Sequence, residues 1–119
     1  MNITENEKKK SKYLNKKTVV DNISFSSIKE ASYYQDLKLL QRAGEVVKLE
    51  LQPEFVLQEK FKKNGKAIRE IKYIADFRVT YKDGKEEVIE VKGFRKKEVW
   101  LLKQKMFEYR YPYLTLKII

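Results

Sequence analysis

The chain has no cysteine and no histidine among its 119 residues, and it holds only four glycines, two prolines and one tryptophan. Without cysteine there is no disulfide framework and no thiol nucleophile. Without histidine there is no serine–histidine pair, and with both absent no thiolate- or imidazole-bound zinc site can be built. No run of 18 apolar residues occurs, and no signal peptide or lipidation motif, so no membrane partner is expected. Any chemistry must come from carboxylates, lysine, tyrosine and a metal held by oxygen. Magnesium or manganese is the natural candidate for such a site. The lack of cysteine suits a reducing cytoplasm, which is the expected location.

What the chain has in excess is positive charge. Lysine and arginine total 27 against 17 acids, a net charge of +10. That balance favours a polyanionic partner, most often nucleic acid. The length suits one domain with a sizeable core. Residues 1–17 carry Lys8, Lys9, Lys10, Lys12, Lys16 and Lys17 with few apolar residues. They read as a flexible basic arm that holds phosphate backbone, or as a solvated tail. Residues 18–119 form the domain.

Ser27 and Glu30 fit a capping box that opens a helix running to about Arg42, before Gly44. A strand is expected around Phe55-Val56-Leu57, entered through Glu50-Leu51-Gln52-Pro53. Lys60 to Lys66 reads as a basic turn around Asn64-Gly65. Strands are expected over Ile71–Tyr81 and Glu86–Val91, joined by a hairpin at Asp83-Gly84. A second helix fits Lys96–Tyr109 and a last strand Leu114–Ile119. The order helix, three strands, helix, strand (αβββαβ) predicts an α/β or α+β fold with a central mixed sheet flanked by helices.

Chemistry concentrates where these strands meet. The hairpin folds Asp76 back toward Glu90-Val91-Lys92, and Glu90 and Lys92 share one face because side chains alternate along a strand. Two carboxylates and a lysine in one place form a plausible hard-metal site for phosphodiester cleavage. In that reading Asp76, Glu90 and the Val91 carbonyl hold the metal, and Lys92 holds or activates the attacking water. Glu30 falls in the helix arc of Tyr33, Tyr34, Leu37 and Leu40 that should face the sheet, where it either completes the metal shell or serves only the helix cap. Asp76 alone could be a strand-end turn former, and Glu90 with Lys92 an ordinary exposed ion pair. The joint pattern carries the site.

The second helix shows an apolar stripe of Val99, Leu102, Met106 and Tyr109, expected to be core. Lys96, Lys103 and Arg110 recur every seven residues beside it, flanked by Trp100 and Phe107. A basic ridge with aromatics can grip phosphates and stack on bases, or be a solvated lysine face. Lys62 and Lys63, with Lys60 and Lys66, form another cluster suited to duplex flanks.

These residues resemble the PD-(D/E)XK nuclease superfamily. Ala75-Asp76 stands where the family has Pro-Asp, and the proline is absent. Glu90-Val91-Lys92 matches the (D/E)XK element, and Glu30 matches the first-helix glutamate of many members. From about Asn15 to Ile119 the chain also resembles a small family of uncharacterised phage proteins, in which segments like Lys16-Lys17-Thr18, Lys29-Glu30-Ala31 and Leu51-Gln52-Pro53 recur. The resemblance implies a restriction-endonuclease-like core and magnesium-dependent DNA cleavage, with Asp76 and Glu90 as ligands and Lys92 as the catalytic lysine. A small phage-type endonuclease acting on branched or Holliday-junction DNA is the expectation, with no nucleotide cofactor. Two coordinated cuts at a junction would require a homodimer. The alternatives are a non-catalytic nucleic-acid-binding module or a phage replication adaptor on the same fold.

Overall fold

A computed structural model of the chain describes residues 17–91 and 98–119. Within them lie ten strands and two helices: β1 Thr18–Val20, β2 Ile23–Phe25, α1 Ile28–Arg42, β3 Val46–Leu51, β4 Glu54–Gln58, β5 Phe61–Lys63, β6 Lys66–Ile68, β7 Ile71–Ile74, β8 Phe77–Tyr81, β9 Glu86–Glu90, α2 Glu98–Arg110 and β10 Thr115–Ile118. The fold is mixed α and β, mostly β. No helix among the described residues is long and apolar enough to cross a membrane.

Local signals set α1. Ser27 Oγ accepts the Glu30 amide at 3.0 Å, which satisfies one of the free N–H groups of the first turn. The Glu30 carboxylate accepts from Ser26 Oγ at 2.7 Å, so the expected capping box forms only on the Ser27 side. At the far end Gly44 sits at φ +85°. Its amide bonds the Gln41 carbonyl and the Glu45 amide bonds that of Leu40, a Schellman closure that needs the left-handed position glycine takes freely. Glu30, Ala31, Tyr34 and Leu37 form the buried stripe, whereas Leu40 at its end is exposed.

The central sheet has the order β10-β9-β8-β3, with β10 parallel to β9 and the other neighbours antiparallel. One face presents Phe77, Val79, Ile89 and Val91 to the α1 residues Ala31, Tyr34 and Leu37. Val88 lies on the opposite face, in a second core with Phe55, Leu57, Tyr73, Phe107 and Leu114. The expected hairpin at Asp83-Gly84 is present. It is a three-residue loop over 82–84 rather than a two-residue one, closed by Tyr81 N–H to the Lys85 carbonyl with Gly84 at φ +92°.

The strand content exceeds expectation. A short hairpin β1–β2 precedes α1. Val46–Leu51, of which only Glu50-Leu51 was expected, as an approach to the next strand, is a full edge strand. The expected single strand over Ile71–Tyr81 breaks at Ala75-Asp76, because the chain changes sheets there. Its partner breaks alongside it, at Gln52-Pro53. Two backbone bonds stitch the corner: Gln52 N–H to the Asp76 carbonyl (2.9 Å) and Ala75 N–H to the Pro53 carbonyl (3.1 Å). Pairing runs from Leu51↔Phe77 before the corner to Glu54↔Ile74 after it. After a bulge before Gln58 it keeps one register from Gln58↔Ile71 to Phe61↔Ile68. The chain from Val46 to Tyr81 is therefore one long antiparallel ribbon, bent at Asp76. Its tip is the Asn64-Gly65 turn, expected as a simple basic turn. Asn64 and Gly65 both have positive φ, the pair a tight, right-twisted hairpin requires.

The second helix corrects the sequence reading. Val99, Leu102 and Tyr109, expected in the core, are exposed, and Met106 is only half-buried. Phe107 is the fully buried residue, ringed by Phe55 (centroids 4.9 Å), Tyr73 (5.4 Å) and Tyr111 (5.4 Å). The cause is the outer ribbon: β4 and β7 offer an aromatic surface, and aromatic burial outweighs an aliphatic stripe.

A buried phenol, Tyr34, and a half-buried one, Tyr81, give the fold a pH limit. Burial first, and then the bond that Tyr81 Oη donates to Glu87 (2.7 Å), hold the Tyr81 hydroxyl above the ordinary tyrosine value. Burial and the 2.9 Å bond to Asp21 act the same way on Tyr34. A raised folded value means the folded state keeps a proton that the unfolded chain releases. The contribution is therefore complete below about pH 10 and is lost as the pH rises beyond it. The melting temperature should fall above about pH 10, and less steeply in Tyr81→Phe, which has no proton to lose. Equal slopes in both proteins would contradict this.

Candidate active site

The corner of the ribbon places Asp76 beside the end of β9. Its amide donates to the Ile89 carbonyl (3.1 Å), its carbonyl accepts from Gln52, and its Oδ2 accepts the Val91 amide at 2.7 Å. Asp76 is half-buried, while Glu90 and Val91 are buried. Asp76 and the Glu90-Val91 pair are thus brought together, as the hairpin argument expected. The strand break is what frees the Asp76 side chain to turn toward the backbone of its neighbour.

Glu90 is fixed by a residue that sequence reasoning passed over. Tyr73, buried at the end of β7, donates its hydroxyl to Glu90 Oε1 at 2.5 Å. Strand alternation offered a hint, since Tyr73 shares a face with Ile71 and Ala75, but a core tyrosine looks the same in sequence. The bond satisfies the phenol and orients the Glu90 carboxylate through Oε1. The Glu90 carbonyl also accepts the Ile119 amide (2.9 Å), which pins this residue to the chain end.

Glu30 is buried on α1, its carboxylate held by Ser26. Among the described residues no three acids gather into a group able to hold a metal, so Glu30 does not join Asp76 and Glu90 in one three-carboxylate cluster. Lys92, Lys16 and Lys96 lie outside the described residues. Lys17, Lys62 and Lys63 are exposed. Of the described residues of the basic ridge on α2, Arg110 is exposed and Lys103 is half-buried. Trp100 is also half-buried, and its Nε1 is buried without a hydrogen-bond partner among the described residues. Arg110 bonds the Leu57 carbonyl (3.3 Å) and Glu59 (3.2 Å), bracing the helix against the outer ribbon.

A family model described as "Protein of unknown function (DUF1064)" matches residues 10–119, nearly the whole chain, and the protein belongs to that family. No curated protein and no solved structure matches it.

Proposed function

We propose that the protein is a metal-dependent DNA endonuclease with a restriction-endonuclease-like core, acting on branched or otherwise structured DNA. The observation that carries the reading is the bond from the Val91 amide to Asp76 Oδ2. It fastens an aspartate at a strand break to the Glu90-Val91 pair, which supports the reading because these residues carry the PD-(D/E)XK resemblance. The donor set suits magnesium or manganese: two carboxylates and the Val91 carbonyl are all hard oxygens, on a chain with no imidazole or thiol. When bound, such an ion polarises the scissile phosphate and makes a bound water more acidic. Asp76 and Glu90 would hold it, with Tyr73 fixing the Glu90 carboxylate through its hydroxyl. Outer-shell bonds of that kind orient metal ligands and commonly matter for activity. Lys92 would position the attacking water and offset the negative charge that builds on the phosphate. Glu30 keeps its bond to Ser26 and supports α1 against the sheet, so the metal is assigned to Asp76, Glu90 and Val91. The net charge of +10 supplies the attraction for the polyanion. Paired cuts at a four-way junction would call for two copies of the chain.

The test is a panel of labelled linear, single-stranded, nicked and four-way-junction DNAs with Mg²⁺ or Mn²⁺. Cleavage of at least one, abolished by EDTA, is expected. Binding without cleavage under every metal condition would sink the reading and leave a binding module.

A further inference from the structure

The outer half of the ribbon is more than a connection between Pro53 and Asp76. Every residue from 58 to 70 is exposed, so this stretch projects as an uncovered two-stranded arm. At about 3.3 Å per residue, the six steps from Gln58 to Asn64 carry the tip roughly 20 Å outward. Such a ribbon has no core of its own and is marginal in isolation. What holds its shape is the Asn64-Gly65 turn and the Phe61↔Ile68 cross-strand pair.

Its charge is arranged for a polyanion. The arm carries Lys60, Lys62, Lys63, Lys66 and Arg69 against Glu59 and Glu70. Both acids sit at its base and face cations outside it, Glu59 with Arg110 (3.2 Å) and Glu70 with Lys72 (3.8 Å). The five basic residues form no ion pair among the described residues. Lys63 and Lys66 are moreover direct partners across the two strands at the tip. Like charges opposed in this way destabilise a hairpin, and a phosphate between them would reverse the sign of the effect. On the other face Lys62 opposes the small Ala67, which leaves room for a close approach.

We propose that this arm enters the major groove of duplex DNA. That groove is about 12 Å wide and admits a two-stranded ribbon, whereas the deep, narrow major groove of duplex RNA does not. The lysines would take the flanking phosphates, with Phe61 and Ile68 as the apolar contact nearer the base. The proposal deepens the DNA-cleavage reading by naming how duplex is gripped, and it rests on DNA being the substrate.

Binding of the full chain to a mixed-sequence duplex, measured in EDTA across a salt series, tests it. The combined Lys62→Ala, Lys63→Ala, Lys66→Ala variant should reduce the slope of log affinity against log salt by about 3 and weaken binding near about 0.15 M salt by about a hundredfold. The corresponding arginine variant should bind as the parent does. Single Lys63→Ala and Lys66→Ala changes, each costing about 1 in slope, keep the test open if the triple variant folds poorly. Dimethyl sulfate should find guanine N7, in the major groove, protected by the parent. An unchanged slope, protection of adenine N3 alone, or equal affinity for duplex RNA would overturn the proposal. Metal-dependent cutting with an unchanged slope would defeat the arm and spare the nuclease. A lost slope in a protein that never cuts would do the reverse.

Discussion

Asp76→Asn should lower metal-dependent DNA cleavage by about a thousandfold or more, with the protein still folded and still binding DNA. The asparagine keeps an oxygen where Oδ2 now accepts the Val91 amide at 2.7 Å, so the corner of the ribbon is retained. What it removes is the charge. A metal is asked to supply several kcal/mol of transition-state stabilisation, and losing about 4 kcal/mol of that is roughly a thousandfold in rate. The measurement is the single-turnover cleavage rate at saturating protein, with melting temperature and DNA affinity recorded in parallel. An unchanged rate would remove Asp76 from the chemistry. A lost rate accompanied by a collapsed melting temperature would mean that Asp76 serves only the fold. Folding and binding both kept, with cleavage gone, is the expected pattern.

Phe107→Ala should be the most destabilising change in α2, costing about 4 kcal/mol in urea unfolding. The ring is fully buried and meets three other aromatic rings, so its removal leaves a cavity that the stiff ribbon cannot close. A domain of this size has only about 5–15 kcal/mol in total, so the variant should be near unfolding at body temperature. Val99→Ala, eight residues earlier on the same helix, should change stability by no more than about 0.5 kcal/mol, because Val99 is 66 % exposed. The reverse order of effects would mean that α2 seats its Val99–Leu102 stripe on the sheet.

That contrast shows where the sequence was legible. The ends of α1 were readable because capping is local: Ser27, Glu30 and Gly44 lie within a turn of the ends they define. The Asp83-Gly84 hairpin was readable for the same reason, and it brought Asp76 toward Glu90 and Val91. The seating of α2 was not. The helix carries two apolar edges, and only partners distant in sequence, Phe55 and Tyr73, decide which one is buried. The strand break at Ala75-Asp76 was hidden similarly. The run from Ile71 to Tyr81 looks continuous, and its bend exists because Gln52-Pro53 bends beside it. Tyr73's bond to Glu90 followed from that bend, so it could not be found before the bend was known. Glu30 was read rightly as buried, but Ser26 and not a carboxylate cluster is its recorded partner.

The bent ribbon gives the molecule a sense of distance. Gly65 at the tip and Asp76 at the corner are joined by one side of the ribbon, a path of eleven residue steps through β6 and β7. At about 3.3 Å per residue that path is at most about 36 Å, close to one turn of B-form DNA. If the tip engages one groove and Asp76 stands over the bond to be cut, anchor and incision are separated by a fixed span of backbone and not by a flexible tether. The chain then acts as a caliper whose jaws are set by strand length, and the place of the cut is measured from where the arm takes hold.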